Sequence, residues 1–134
     1  MNILLDTHIA LWAITDHPKL PKKARDLIID AGHMIYYSTV SAWEILLKHN
    51  SRQNNLTLTP EDFIAYCEEA GYAVLPLKPR HIITASKLYA SNGAIPHSDP
   101  FDRLLLSQAK AEKFSFLTHD EKIPLYHEEC VISV

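Results

Sequence analysis

The sequence predicts an α/β protein with a mostly parallel sheet covered by helices on both faces. Three observations carry this. Short apolar runs alternate with longer stretches of helical periodicity, the pattern of βαβ units. The first run, Asn2-Ile3-Leu4-Leu5, does not alternate in polarity, as expected of a strand buried on both faces. Each of the three glycines, Gly32, Gly71 and Gly93, follows a helical stretch, where a left-handed stop is expected.

In order along the chain, the first strand leads into a helix over 7–14. A second helix is expected over 21–31, with Ala24, Leu27, Ile28 and Ala31 on one face and Gly32 closing it. Residues 34–37 form the second strand candidate, and residues 40–49 the third helix, with an apolar face of Val40, Trp43, Leu46 and Leu47. Ser51 opens a polar loop over 51–55. Thr59-Pro60-Glu61-Asp62 is a helix start: a capping hydroxyl, proline at the first position, and two acids at the positive end of the helix dipole. That helix should end near Gly71, before a third strand over 72–75. A helix over 80–91 closed by Asn92-Gly93, a helix over 99–113, and strands over 114–117 and 131–134 complete the order. No linker or repeat interrupts it, and one domain over 1–134 is expected.

Composition narrows the functional classes. With 134 residues, 47% of them hydrophobic, the chain can bury a substantial core. A net charge of -3 argues against a broad basic surface that coats nucleic acid, though not against a local basic rim. No glycine belongs to a nucleotide-cradling fingerprint. No segment resembles a targeting sequence or a membrane span, so a cytoplasmic protein without membrane association is expected. Cys67 and Cys130 lack metal-ligand spacing and read as two small buried thiols.

The acidic residues carry the chemistry. Asp6 directly follows the first strand, at its carboxyl end, where open α/β sheets bind ligands; the same position suits an N-cap for the helix that starts at Thr7. Glu44 can close a capping box with Ser41. If the helix instead begins at Ser38 or Thr39, Glu44 lies one turn in among apolar neighbours. Asp99 precedes Pro100 and suits an N-cap; Asp102 heads the strip of Leu105, Leu106 and Ala109, where an acid must be satisfied or functional. Asp102 is therefore preferred over Asp99 as a metal ligand. Asp120 follows the fourth strand as Asp6 follows the first, or else is a turn aspartate. Right-handed crossovers bring these positions to one edge of a parallel sheet. Carboxylates gathered there repel one another unless a cation sits among them, and an all-oxygen donor set suits Mg²⁺ or Mn²⁺. Such ions activate water against a phosphodiester.

Other polar residues add less. Thr7 and Thr118 could support the carboxylates, and Arg103 could touch a phosphate or pair locally. No histidine pair has zinc-ligand spacing; His8, His97 and His119, each beside an acidic position, read as surface residues. Trp12, Trp43, Tyr36 and Tyr37 read as core or interface.

Four segments together carry a family resemblance. Leu4-Leu5-Asp6-Thr7-His8-Ile9-Ala10-Leu11-Trp12 resembles the opening of PIN domains, in particular those of VapC toxins of type II toxin–antitoxin pairs. Ser41-Ala42-Trp43-Glu44-Ile45, His97-Ser98-Asp99-Pro100-Phe101-Asp102-Arg103-Leu104-Leu105 and Leu117-Thr118-His119-Asp120 resemble the later acidic motifs, in family order. The resemblance implies a three-layer α/β/α fold with a parallel sheet of order 3-2-1-4-5. It implies a Mg²⁺- or Mn²⁺-dependent endoribonuclease acting on structured RNA such as tRNA or rRNA. Its acidic set would be Asp6, Glu44, Asp102 and Asp120, with Asp99 as an alternative in the third motif. It further implies a homodimer held inactive by a cognate antitoxin that covers the acidic groove.

Two rivals remain at this stage. A phosphatase with Asp6 as nucleophile would need, in its haloacid-dehalogenase-like form, a second aspartate where His8 stands. A PIN-like domain without activity would only dock a partner protein.

Overall fold

The computed structural model describes residues 1–51, 57–89, 93 and 99–134. Its elements are β1 (Asn2–Leu5), α1 (Thr7–Ile14), α2 (Lys22–Ile29), β2 (Met34–Ser38), α3 (Thr39–His49), α4 (Pro60–Glu69), β3 (Ala73–Leu75), α5 (Pro79–Ala85), α6 (Pro100–Glu112), β4 (Ser115–Thr118) and β5 (Val131–Ser133). A short 3-10 helix, Ile123–Tyr126, lies between the last two strands. The five strands form one sheet in the order β3-β2-β1-β4-β5, with every neighbouring pair parallel. This is the expected order, with β1 and β4 side by side.

Strand pleating divides the core between the two faces. Ile3, Leu5, Ile35, Tyr37 and Leu117 pack with Ile9, Ala10, Ala24, Ile45, Phe63 and Cys67 from α1 to α4. Leu4 and Phe116 point the other way, toward Val40, Leu105, Leu106, Ala109, Ile123 and Tyr126. Helices thus cover both faces, in the three-layer arrangement. Among the described residues, no helix is long and apolar enough to cross a membrane.

Where local chemistry is strong, the expected elements form. Asp6 caps α1, and Thr59 Oγ1 accepts from Asp62 N to cap α4, with Pro60 in the first turn. Gly71 follows α4 at a φ of 84°, a conformation that glycine adopts without steric cost.

Four expectations need correction. The helix expected over 21–31 stops at Ile29, because the Asp30 carboxylate takes Gly32 N at 2.8 Å and turns the chain. Gly32 is therefore not a left-handed cap, and of the expected face only Ala24 is buried. In α3 the buried strip is Val40, Ser41, Glu44 and Ile45, whereas Trp43 and Leu47 are exposed. The helix expected over 80–91 ends at Ala85: beyond it the backbone turns to i,i+3 bonds, Lys87 N to Thr84 O and Leu88 N to Ala85 O, and the Ala85 carbonyl also accepts a 2.7 Å bond from Arg103. The expected stop at Asn92 lies outside the described residues, although Gly93 does have a positive φ. Residues 52–55 of the polar loop, and His97 and Ser98, also lie outside them. Cys67 is buried and Cys130 only half-buried; both are free thiols, pushed up to about 12 and about 11 by burial.

Candidate active site

Parallel register fixes two carboxylates. Leu5 of β1 pairs with Leu117 of β4, and the next residue, Asp6, donates its N–H to Leu117 O at 3.0 Å. Asp6 thus sits at the carboxyl end of β1, with β4 ending beside it at Thr118. Both readings of Asp6 hold at once. Oδ1 accepts from Thr7 N at 2.7 Å as the cap of α1, and Oδ2 accepts from Thr118 Oγ1 at 2.6 Å. Asp120, two residues beyond β4, uses Oδ1 to accept from Lys122 N and Ile123 N, which turns the chain into the 3-10 helix.

Helices supply the other acids. α3 begins at Thr39, capped by Ser38, whose Oγ accepts from Val40 N. The capping box of Ser41 with Glu44 therefore does not form. Glu44 lies inside the helix, 3% exposed, with Oε2 at 2.6 Å from Lys48 Nζ and Oε1 without a hydrogen-bond partner. Ser41 Oγ instead meets Thr7 Oγ1 at 2.8 Å, tying α3 to α1 beneath the site. At α6, Asp99 is the cap: its Oδ1 accepts from Phe101 N and Asp102 N. Asp102, in the first turn, is buried.

These segments converge. A cavity of about 300 Å³ is lined by Asp6, Glu44, Asp99, Asp102 and Asp120, together with His8, Trp12, Lys48 and His119. It adjoins a wider cavity of about 750 Å³ that shares Glu44, Lys48, Asp99, Asp102 and Asp120. Asp99 and Asp102 both line the site, so the third segment contributes two carboxylates. Arg103 is turned elsewhere: it donates to Ala85 O and stands 6.0 Å from the centre of the Tyr89 ring.

The charges are felt by the acids themselves. Burial, then the neighbouring carboxylates of Asp6, Asp99, Asp120 and Glu44, push the Asp102 carboxyl up to about 8. Burial also raises Asp6, to about 6, against the lowering effect of its bonds from Thr118 and Thr7. A cluster that resists ionisation in this way favours a cation. The donors suit a hard divalent ion: five carboxylates beside the imidazoles of His8 and His119, with a buried Glu44 oxygen that has no hydrogen-bond partner among the described residues. Among the described residues, no three His, Cys, Asp or Glu side chains are grouped so that they could hold a metal ion as they stand.

Two further residues matter here. Ser41 Oγ bridges to Thr7, a tertiary contact that no local pattern signals. Lys48 does carry a sequence signal: its spacing of four from Glu44 marks a pair on one helix face.

A carboxylate cluster at the carboxyl edge of an open parallel sheet stands where α/β proteins bind their ligands. The particular family follows from comparison: the PIN domain model matches residues 3–128, and the chain belongs to the PIN domain family. Solved structures agree on the fold. Over 100% of this chain and 98% of that one, it resembles the crystal structure of VapBC2 from Rickettsia felis bound to a DNA fragment from their promoter, at 17% identity and a TM-score of 0.66. DNA-bound VapBC from Salmonella typhimurium aligns over 99% of this chain and 98% of that chain, at 16% identity and a TM-score of 0.68. Among curated sequences none matches the chain significantly.

Proposed function

We propose that this chain is a VapC-type toxin of a type II toxin–antitoxin pair, an endoribonuclease that hydrolyses RNA phosphodiester bonds with Mg²⁺ or Mn²⁺. The observation that carries the reading is the meeting of Asp6, Glu44, Asp102 and Asp120, from four separate segments, in one cavity. Membership of the PIN family, whose VapC branch is generally nucleolytic, supports it. So does the likeness in fold to VapBC over the whole described length.

Asp6, Glu44, Asp102 and Asp120 would hold the ion, with Asp99 within reach of the same cavity. When bound, the ion supplies Lewis acidity that activates a water and offsets charge on the phosphodiester. The chain's own residues do the rest. Thr118 and Thr7 N fix the Asp6 carboxylate from two sides, so it costs little reorganisation when substrate arrives. A carboxylate of the cluster accepts the proton of the attacking water. The buried Asp6, Glu44 and Asp102 keep bulk solvent from the inner wall, which strengthens each of these interactions.

The same reading carries its partners. A cognate antitoxin would cover the acidic groove, and the chain would act in the cytoplasm as a single domain over 1–134. A homodimer is supported by the exposed Trp43 and Leu77, which line an apolar cavity of about 410 Å³ with Val40, Phe101 and Leu104. The reading is tested by incubating purified protein with total RNA in Mn²⁺, Mg²⁺ or EDTA. Discrete fragments that vanish in EDTA are expected; intact RNA from folded, inhibitor-free protein in both metals would refute it.

A further inference from the structure

We infer that Lys48 is an exchangeable counter-cation: it neutralises Glu44 in the metal-free protein and turns to the RNA phosphate once a metal ion takes that carboxylate. The inference rests on the nuclease reading above and adds a substrate contact to it.

Glu44 is 3% exposed, and among the described residues its carboxylate accepts from Lys48 Nζ, at 2.6 Å from Oε2. A buried carboxylate oxygen needs a partner in place of water, and here Lys48 supplies it for Oε2. Lys48 is differently placed. Its side chain is 33% exposed and stands on the rim, while Glu44 forms the wall. Lys48 holds only Oε2, and Oε1 has no hydrogen-bond partner among the described residues, so a metal ion taken up through Oε1 would place a second positive charge beside the ammonium and weaken its hold on the carboxylate.

Its position gives it somewhere to go. Lys48 lines the 300 Å³ and 750 Å³ acidic cavities and also a groove of about 530 Å³ bordered by His8, Trp12 and His17. A strand that runs from the groove into the acidic site passes this ammonium. Such a strand also needs a cation there, because its phosphates meet the negative field of Asp6, Asp99, Asp102 and Asp120. Arg103 does not serve, being engaged with Ala85 O and the Tyr89 ring. Lys122 lines only the wider of the two acidic cavities and is itself exposed. A lysine suits the exchange: a compact charge on a flexible stem that makes a single-point phosphate contact.

The test separates this role from a structural one. Mn²⁺ binding is measured by calorimetry in wild type, Lys48→Met and Lys48→Arg. Binding of a labelled single-stranded phosphorothioate oligoribonucleotide, whose backbone keeps its charge and resists hydrolysis, is measured in Mn²⁺ with the same three proteins. Loss of the competing charge should make Lys48→Met bind Mn²⁺ roughly three- to tenfold more tightly. Loss of the phosphate contact should weaken RNA binding roughly tenfold, with a shallower salt dependence. Lys48→Arg should keep RNA affinity near wild type. Opposite signs for metal and RNA are the signature, since a lysine that only braced the helix would weaken both. Equal or weaker Mn²⁺ affinity in folded Lys48→Met, or unaltered RNA affinity, overturns the inference while a metal-dependent wild-type nuclease stands. Absence of Mn²⁺ binding by folded wild type overturns the nuclease reading itself, and the inference with it.

Discussion

The Thr118 hydroxyl donates a 2.6 Å hydrogen bond to Asp6 Oδ2, joining residues 112 positions apart in sequence at the ends of adjacent parallel strands. Thr118 Oγ1 in turn accepts from Asp120 N at 3.0 Å. One buried hydroxyl therefore positions one carboxylate of the site and the backbone of another.

Thr118→Val keeps the shape and removes both bonds. The Asp6 carboxyl, already raised to about 6, should rise further, because the bond from Thr118 lowers it. Metal binding needs the ionised form, so the activity profile should shift toward higher pH and cleavage at neutral pH should fall about tenfold or more. Stability should drop by about 1–2 kcal/mol, the usual effect of leaving buried polar groups unpaired. Cleavage rates across pH and urea unfolding check both effects. An unchanged pH profile would remove Thr118 from the site.

Asp102 makes a prediction about the metal-free protein. Its carboxyl is raised from 3.8 to about 8 by burial and the surrounding acids. A raised carboxyl holds its proton in the folded state after the unfolded chain has lost it. Folding is thus most favoured below the unfolded value and loses stability as pH climbs through the folded one. In EDTA, Asp102→Asn should raise the melting temperature at pH about 8 by roughly 5 °C or more, and the gain should vanish near pH about 4, where both side chains are neutral. Differential scanning calorimetry at the two values decides it. Equal gains at both would show that the charges do not strain the site.

Arg103 was a substrate-contact candidate in sequence, yet its guanidinium holds the carbonyl that ends α5. Arg103→Met should destabilise the fold by about 1–3 kcal/mol through loss of the charge-assisted bond to Ala85 O, which would keep only its 3.4 Å bond from Leu88 N. KM for RNA, measured on the folded fraction, should stay within about twofold of wild type. A large rise in KM without loss of stability would return Arg103 to the substrate.

Sequence conveyed the elements where a local signal acts alone. β1 and α1 lie where expected, and the Thr59–Pro60 start of α4 is a matter of one cap and one ring. It failed where tertiary partners decide. The face of α3 was misjudged because Ser41 and Glu44 are buried by their partners Thr7 and Lys48, while Trp43 is left outside. The Ala85 carbonyl at the end of α5 is bonded by a side chain 18 positions away, which no local pattern encodes. That the four acids meet in one cavity was legible from their place after strands and in early helical turns. Which polar groups would support them was not, since the bond between Asp6 and Thr118 exists only once β4 lies against β1.

The most direct test of the account is cleavage of total RNA by Asp6→Asn beside wild type, in saturating Mn²⁺ and with folding verified by circular dichroism. Asp6→Asn should keep the fold and lose cleavage, while wild type yields discrete fragments only when metal is present. Wild-type cleavage by folded Asp6→Asn under those conditions would contradict the assignment of the carboxylate cluster as the active site.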